Sequence, residues 1–113
     1  MEEQRVNLEG LLVQLYSKEG RAFLISKLVG KVDVPSDYII EAIEVYERAG
    51  RFRHAAGIAK RAGMVERANR LYVKAVKDYE KAGRFREAAK LSEEGGMVER
   101  ARLYRTIEGL VKR

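Results

Sequence analysis

Among the groups that could serve as a nucleophile or its base are one imidazole, His54, and the hydroxyls of Ser17, Ser26, Ser36 and Ser92, with no cysteine anywhere. The missing thiols exclude disulfides, thiolate metal sites and cysteine nucleophiles. A nucleophilic serine needs a base within hydrogen-bond reach. None stands near these four in sequence, and one brought in by folding would have to be His54 or a carboxylate. His54 falls where an internal repeat elsewhere carries Glu87, and a position that accepts either residue reads as a solvated helix start. Carboxylates and imidazole are not set at metal-ligand spacing. Gly30-Lys31 lacks the upstream glycine of a phosphate-binding loop, and no Gly-x-Gly-x-x-Gly occurs. The chain reads as a non-enzyme with no cofactor and no metal.

One pattern suits binding instead. Arg70, Lys74, Lys77 and Lys81 step i, i+4, i+7, i+11 and so line one face of a helix. At about 100° per residue that face lies opposite the apolar stripe Ala68, Tyr72, Ala75, Tyr79. The positions 33 residues earlier are Asp37, Glu41, Glu44 and Arg48, so three of the four charges reverse sign. Either acidic and basic helices lie side by side and pair, for a few tenths of a kcal/mol each, or a bipolar groove fixes the direction of a bound peptide. Arg51, Arg53, Arg84 and Arg86 form a second basic set along one edge. It could touch phosphates, but nothing beside it supplies base readout. The six Tyr and three Phe sit at helical spacing on faces expected to be buried, which speaks against base stacking.

Charge is divided along the chain. Residues 1–50 carry six Lys/Arg against nine Asp/Glu, a balance of −3, and residues 51–113 carry seventeen against eight, a balance of +9. Such polarity attracts acidic partners at one end, or a second copy of the chain.

The elements that position these charges follow from an internal repeat. Tyr46-Glu47-Arg48-Ala49-Gly50-Arg51-Phe52-Arg53 recurs as Tyr79-Glu80-Lys81-Ala82-Gly83-Arg84-Phe85-Arg86, and Gly63-Met64-Val65-Glu66-Arg67-Ala68 recurs as Gly96-Met97-Val98-Glu99-Arg100-Ala101. From Tyr46 to Ala68, fifteen of twenty-three positions are identical at a spacing of 33, a density that coincidence does not produce. After Ala101 the second copy reads as one residue shorter, which aligns Tyr72 with Tyr104.

Glycines punctuate each copy. Gly50, Gly63, Gly83 and the Gly95-Gly96 pair follow helical stretches, where a left-handed cap suits glycine. Apolar periodicity between them predicts helices near 4–18, 21–30, 37–49, 52–62, 65–82, 85–94 and 97–111, the third capped by Ser36 or Asp37. Ala49, Ala55, Ala56 and Ala59, then Ala82, Ala88 and Ala89, allow close helix approach, with Phe52 and Phe85 plugging the hairpin turns. One hairpin cannot bury its own apolar face, so neighbours must stack.

The pattern Tyr-x3-Gly-x-Phe-x2-Ala, at Tyr46, Gly50, Phe52, Ala55 and again at Tyr79, Gly83, Phe85, Ala88, resembles the tetratricopeptide repeat. It is similar also to the helical hairpins of clathrin heavy chain and related vesicle-coat solenoids. The resemblance spans about residues 38–108; Ile43 and Val76 stand where that repeat carries a helix-A glycine, and its closing proline is missing. It implies an all-α fold: a short right-handed α-solenoid of antiparallel hairpins, about seven helices. It also implies that the first helix of each hairpin lines a groove for peptides. Arg70, Lys74, Lys77 and Lys81 would then be groove residues, joined by Arg102 and Arg105 from the last helix.

Residues 1–113 form one domain, with 36–113 as the repeat region and 1–35 as a divergent helical cap or dimerisation segment; Tyr16-x3-Gly20 reads there as a worn remnant of the repeat. Leu8, Leu11, Leu12 and Leu15 form one apolar stripe, Val13 and Tyr16 lie off it, and Phe23, Leu24, Ile25, Leu28 and Val29 follow. That surplus of apolar faces predicts a homodimer through residues 1–35. No secretory start and no membrane-length apolar run are present, so a cytoplasmic location is expected. One Pro, two Asn and two Gln among many Arg, Lys and Glu suggest a heat-adapted source. The expected function is a protein-interaction scaffold for an acidic peptide or partner surface. A sequence-nonspecific nucleic-acid module and a purely structural self-associating solenoid come after it.

Overall fold

A computed structural model describes residues 7–112. Among them are seven helices: α1 Leu8–Gln14, α2 Lys18–Leu28, α3 Ser36–Arg48, α4 Phe52–Arg61, α5 Val65–Lys81, α6 Phe85–Glu94 and α7 Val98–Val111. The described chain is 77% helical with no strand. The fold is all-α, as the periodicity predicts.

Glycine sets where the helices stop. Gly50, Gly63, Gly83 and Gly96 have φ between 72° and 78°, a region that side chains with a Cβ disfavour. At each, two crossed hydrogen bonds close the helix end. For α3, Arg51 N donates to Tyr46 O at 2.8 Å and Gly50 N to Glu47 O at 2.9 Å. The same pair recurs as Met64 to Ala59 with Gly63 to Lys60, as Arg84 to Tyr79 with Gly83 to Glu80, and as Met97 to Ser92 with Gly96 to Glu93. These are Schellman caps, and they satisfy carbonyls that a helix end otherwise leaves open.

Each of α2 to α6 packs against the next helix in sequence. Side chains also join alternate helices. Arg61 of α4 donates to Ser26 O of α2 at 2.9 Å, and Arg53 of α4 meets Glu94 of α6 at 2.7 Å. Lys74 of α5 lies 3.7 Å from Glu47 of α3, and the Tyr104 hydroxyl of α7 donates to Glu80 of α5. Odd-numbered helices from α3 on thus meet in order, and even-numbered ones do likewise. The molecule is elongated, 60 × 28 × 23 Å.

The helices share one apolar core. Ala55, Ala56, Ala59, Ala88 and Ala89 are fully covered, and their short side chains let larger neighbours such as Ile43, Ile58, Leu71 and Leu91 fill the space between helices. Each such large side chain contributes about 1.5–3 kcal/mol when removed from water. Ala49 and Ala82 are exposed helix C-caps and do no packing. Phe52 and Phe85 are half-buried against the core, the latter stacked on Tyr104 at 6.1 Å.

Three local expectations are corrected. The helix expected over 4–18 ends at Gln14, because Leu15 turns extended and the Ser17 hydroxyl caps α2 by accepting from Gly20 N at 2.9 Å; residues 1–6 lie outside the described chain. Gly20 therefore sits in the first turn of a helix while Tyr16 is fully exposed, so the pair is no remnant of Tyr46 and Gly50. The N-cap of α3 is Pro35, which supplies no side-chain hydrogen bond, in place of Ser36 or Asp37, although Asp37 Oδ1 accepts from Tyr38 N at 3.2 Å inside the first turn.

The deletion after Ala101 is also absent. Helices α5 and α7 start at Val65 and Val98, and α7 runs unbroken to Val111. A continuous helix cannot lose a residue without turning everything after it by about 100°. Register 33 therefore persists, and Tyr104 takes the place of Leu71, both fully buried.

Candidate protein-binding surface

The same register fixes which residues share the outward face of the odd-numbered helices. On α5 it carries Arg70, Lys74, Lys77 and Lys81, all exposed, turned away from the buried Ala68, Leu71, Tyr72, Ala75 and Val76. Thirty-three residues back, on α3, stand Asp37, Glu41, Glu44 and Arg48. Thirty-three residues on, at the first three positions, α7 presents Leu103, Ile107 and Leu110. Three rows lie side by side, mainly acidic, basic and apolar. Leu103 and Leu110 are 45% and 59% exposed, while Ile107 is half-buried against the core.

The acidic row is largely occupied by neighbours. Arg21 of α2 grips Glu41 through both nitrogens of one guanidinium edge, at 2.9 and 3.1 Å. That hydrogen-bonded pairing holds the Glu41 carboxyl below the usual carboxylate range. Arg67 of α5 reaches Glu44 at 3.9 Å and Glu47 at 3.7 Å. In the basic row only Lys74 is engaged, with Glu47 and with the face of Phe52 at 5.5 Å. Arg70, Lys77 and Lys81 have no carboxylate within 4.0 Å among the described residues. Pairing across helices therefore uses Arg67 and Lys74, and the rest of the row stays open to solvent.

Arg102 and Arg105 do not join that row. Arg102 stands about 100° round α7 from Leu103, and Arg105 turns to the opposite side, where it meets Glu93 of α6 at 2.7 Å. Arg105 holds the register position of Tyr72. The buried tyrosine of α5, with Lys60 over its ring at 6.0 Å, is thus replaced by an exposed ion pair on α7. Leu103, Ile107 and Leu110 are the surface residues that sequence reasoning missed. The signal was present, since they recur at i, i+4, i+7 and match the basic row at spacing 33.

The other singled-out residues are also placed. His54 is exposed and stacks on Tyr46 with ring centroids 5.4 Å apart; partial burial and the nearby Arg51, Arg53 and Lys27 hold its pKa below the usual value. Arg84 lies over Tyr79 at 5.3 Å and meets Glu87 at 3.3 Å, and Arg86 approaches Glu108 at 3.8 Å. Among the described residues no group of three or more His, Asp or Glu is placed to hold a metal, and no helix is long and apolar enough to cross a membrane.

Comparison with known proteins finds no family model, no curated protein and no solved structure that matches this chain.

Proposed function

We propose that the chain is a short α-solenoid of stacked antiparallel hairpins and serves as a protein-interaction scaffold. Its outward odd-helix face would bind an acidic peptide or an acidic patch of a partner. One observation carries this: a row of unneutralised cations, Arg70, Lys77 and Lys81, runs beside an apolar row in which Leu103 and Leu110 are exposed and Ile107 half-buried. The basic row is about 16 Å long and neighbouring helices lie about 8–10 Å apart. A bound segment can therefore set carboxylates on α5 and apolar side chains on α7 together. Separate contacts between odd and between even helices support the stacked arrangement.

Salt dependence tests the reading. A synthetic peptide with leucines on one helical face and glutamates beside them is titrated at low and high salt, in parallel with a single-stranded oligonucleotide. The apolar anchors should preserve peptide binding when salt rises. Nucleic-acid binding through counterion release would collapse instead. Tight, steeply salt-dependent oligonucleotide binding with no peptide binding would overturn the proposal in favour of a nucleic-acid module.

A homodimer through residues 1–35 is a second, compatible proposal. Leu11, Val13, Tyr16 and Phe23 are each exposed, and exposed apolar groups favour a partner surface.

A further inference from the structure

The side of the molecule formed by α2, α4 and α6 carries a cleft that the odd-helix face does not share. Lys27 of α2, Lys31 from the following turn, and Arg53, His54, Gly57 and Arg61 of α4 line a cavity of about 490 Å³. It is larger than a single phosphate ion needs and falls in the range of small-molecule sites, about 300–1,000 Å³.

Its charge is not balanced. The one carboxylate on the rim, Glu94, is already paired with Arg53 at 2.7 Å. Arg61 is held by backbone carbonyls: Nε donates to Gly57 O at 3.2 Å and Nη1 to Ser26 O at 2.9 Å. These bonds orient the guanidinium without neutralising it. Lys27 lies over the Phe23 ring at 5.3 Å. None of Lys27, Lys31 and Arg61 has a carboxylate within 4.0 Å among the described residues. Three surplus positive charges therefore line one concavity. His54, stacked on Tyr46, also borders the cleft; partial burial first, and then the nearby Arg51, Arg53 and Lys27, hold its pKa below the usual value.

Gly57 supplies a separate reason to see a built opening. It stands in the interior of α4, where glycine is unfavourable, and its repeat counterpart is Lys90. Packing does not require it, since an added Cβ would meet nothing nearer than Arg61 Nη2 at 3.9 Å. A longer side chain would stand in the cleft. Glycine here keeps the cavity open at the expense of helix propensity.

We propose that this cleft binds a small molecule carrying a pyrophosphate group, with Lys27, Lys31 and Arg61 on its oxygens and Gly57 providing the room. A compact polyanion suits three cations around one cavity, and charge-assisted hydrogen bonds to phosphate are the strong kind. The site is independent of the peptide face and survives if that reading fails.

His54 reports on the site by NMR. Inorganic pyrophosphate, and in a separate arm ADP, is titrated into the full chain at constant ionic strength while the imidazole signals are followed. A saturating shift is expected from at least one probe. Response to both assigns the pyrophosphate group itself; response to ADP alone adds the nucleoside to the recognised part. Lys31→Ala should weaken binding about tenfold, and Gly57→Leu should abolish it, while Lys77→Glu leaves it unchanged. If Gly57→Leu perturbs the circular dichroism spectrum, Lys27→Ala and Lys31→Ala decide the matter, because both lysines are exposed. A linear shift matched by sodium chloride, or wild-type affinity in the lysine variants, would overturn the proposal. So would saturation by a single-stranded RNA that pyrophosphate does not displace.

Discussion

Tyr72 packs so closely on Gly95 that a Cβ added to the glycine would lie 2.9 Å from Tyr72 Cγ and 3.0 Å from its Cβ. One repeat earlier the same two positions hold Ile39 and Ala62, which both line one cavity beside the turn at residues 29–34. The larger aromatic and the missing methyl go together. Gly95→Ala should therefore destabilise by about 1–3 kcal/mol through overpacking, although Gly95 has an ordinary backbone conformation with φ of −85°. Urea denaturation checks it, and an unchanged midpoint would mean that Tyr72 can move aside.

Ser92 presents the reverse case. It is fully buried and its hydroxyl has no hydrogen-bond partner among the described residues, whereas its counterpart Ala59 fills the same position with a methyl. An unsatisfied buried hydroxyl is a net loss. Ser92→Ala should stabilise the protein by about 1 kcal/mol, seen as a raised melting temperature. A lower melting temperature would show that the hydroxyl has a partner, such as a bound water.

The Arg21–Glu41 pair predicts a pH dependence with a definite sign. The folded Glu41 pKa lies below the ordinary value of 4.5, first because of the hydrogen bond from Arg21. Its contribution is complete above that ordinary value and is lost as pH falls through the lowered one. Wild type should lose more stability than Glu41→Gln between about pH 5 and pH 3. Parallel stability curves for the two proteins would contradict the pairing.

Self-association is decided by sedimentation at micromolar concentration, where a dimer is expected and a clean monomer of 12.9 kDa would end the idea. The disrupting variant must be chosen from the exposed set. Leu12 is fully buried in the core, so a charge there would damage the fold. Val13→Glu should dissociate the dimer with the helical content unchanged, and Lys77→Glu should leave it intact.

Much of the fold was legible because its signals are local. The left-handed conformation at Gly50, Gly63, Gly83 and Gly96 depends on a residue type, and the repeat shows each of them twice over or in a pair. The N-terminal part was harder to read. Ser17 and Gly20 act as a cap and its first turn, which a tyrosine-to-glycine spacing disguises. On the surface, the basic row of α5 was visible from its spacing. The row beside it was not, because matching Tyr72 to Tyr104 requires a deletion that a helix cannot absorb. That shift would bring Arg102 level with Arg70, whereas the unbroken helix puts Leu103 there.

The proposed function requires the basic row of α5 and the apolar row of α7 to bind one acidic segment together. The most direct measurement is backbone NMR of the labelled protein while the leucine–glutamate peptide is added. Saturable shifts should concentrate at Arg70, Lys77, Lys81, Leu103 and Leu110. Lys77→Glu and Leu110→Asp, both at exposed positions, should each weaken binding about tenfold or more. Shifts confined to the α2–α4–α6 side, or wild-type affinity in both variants, would contradict it.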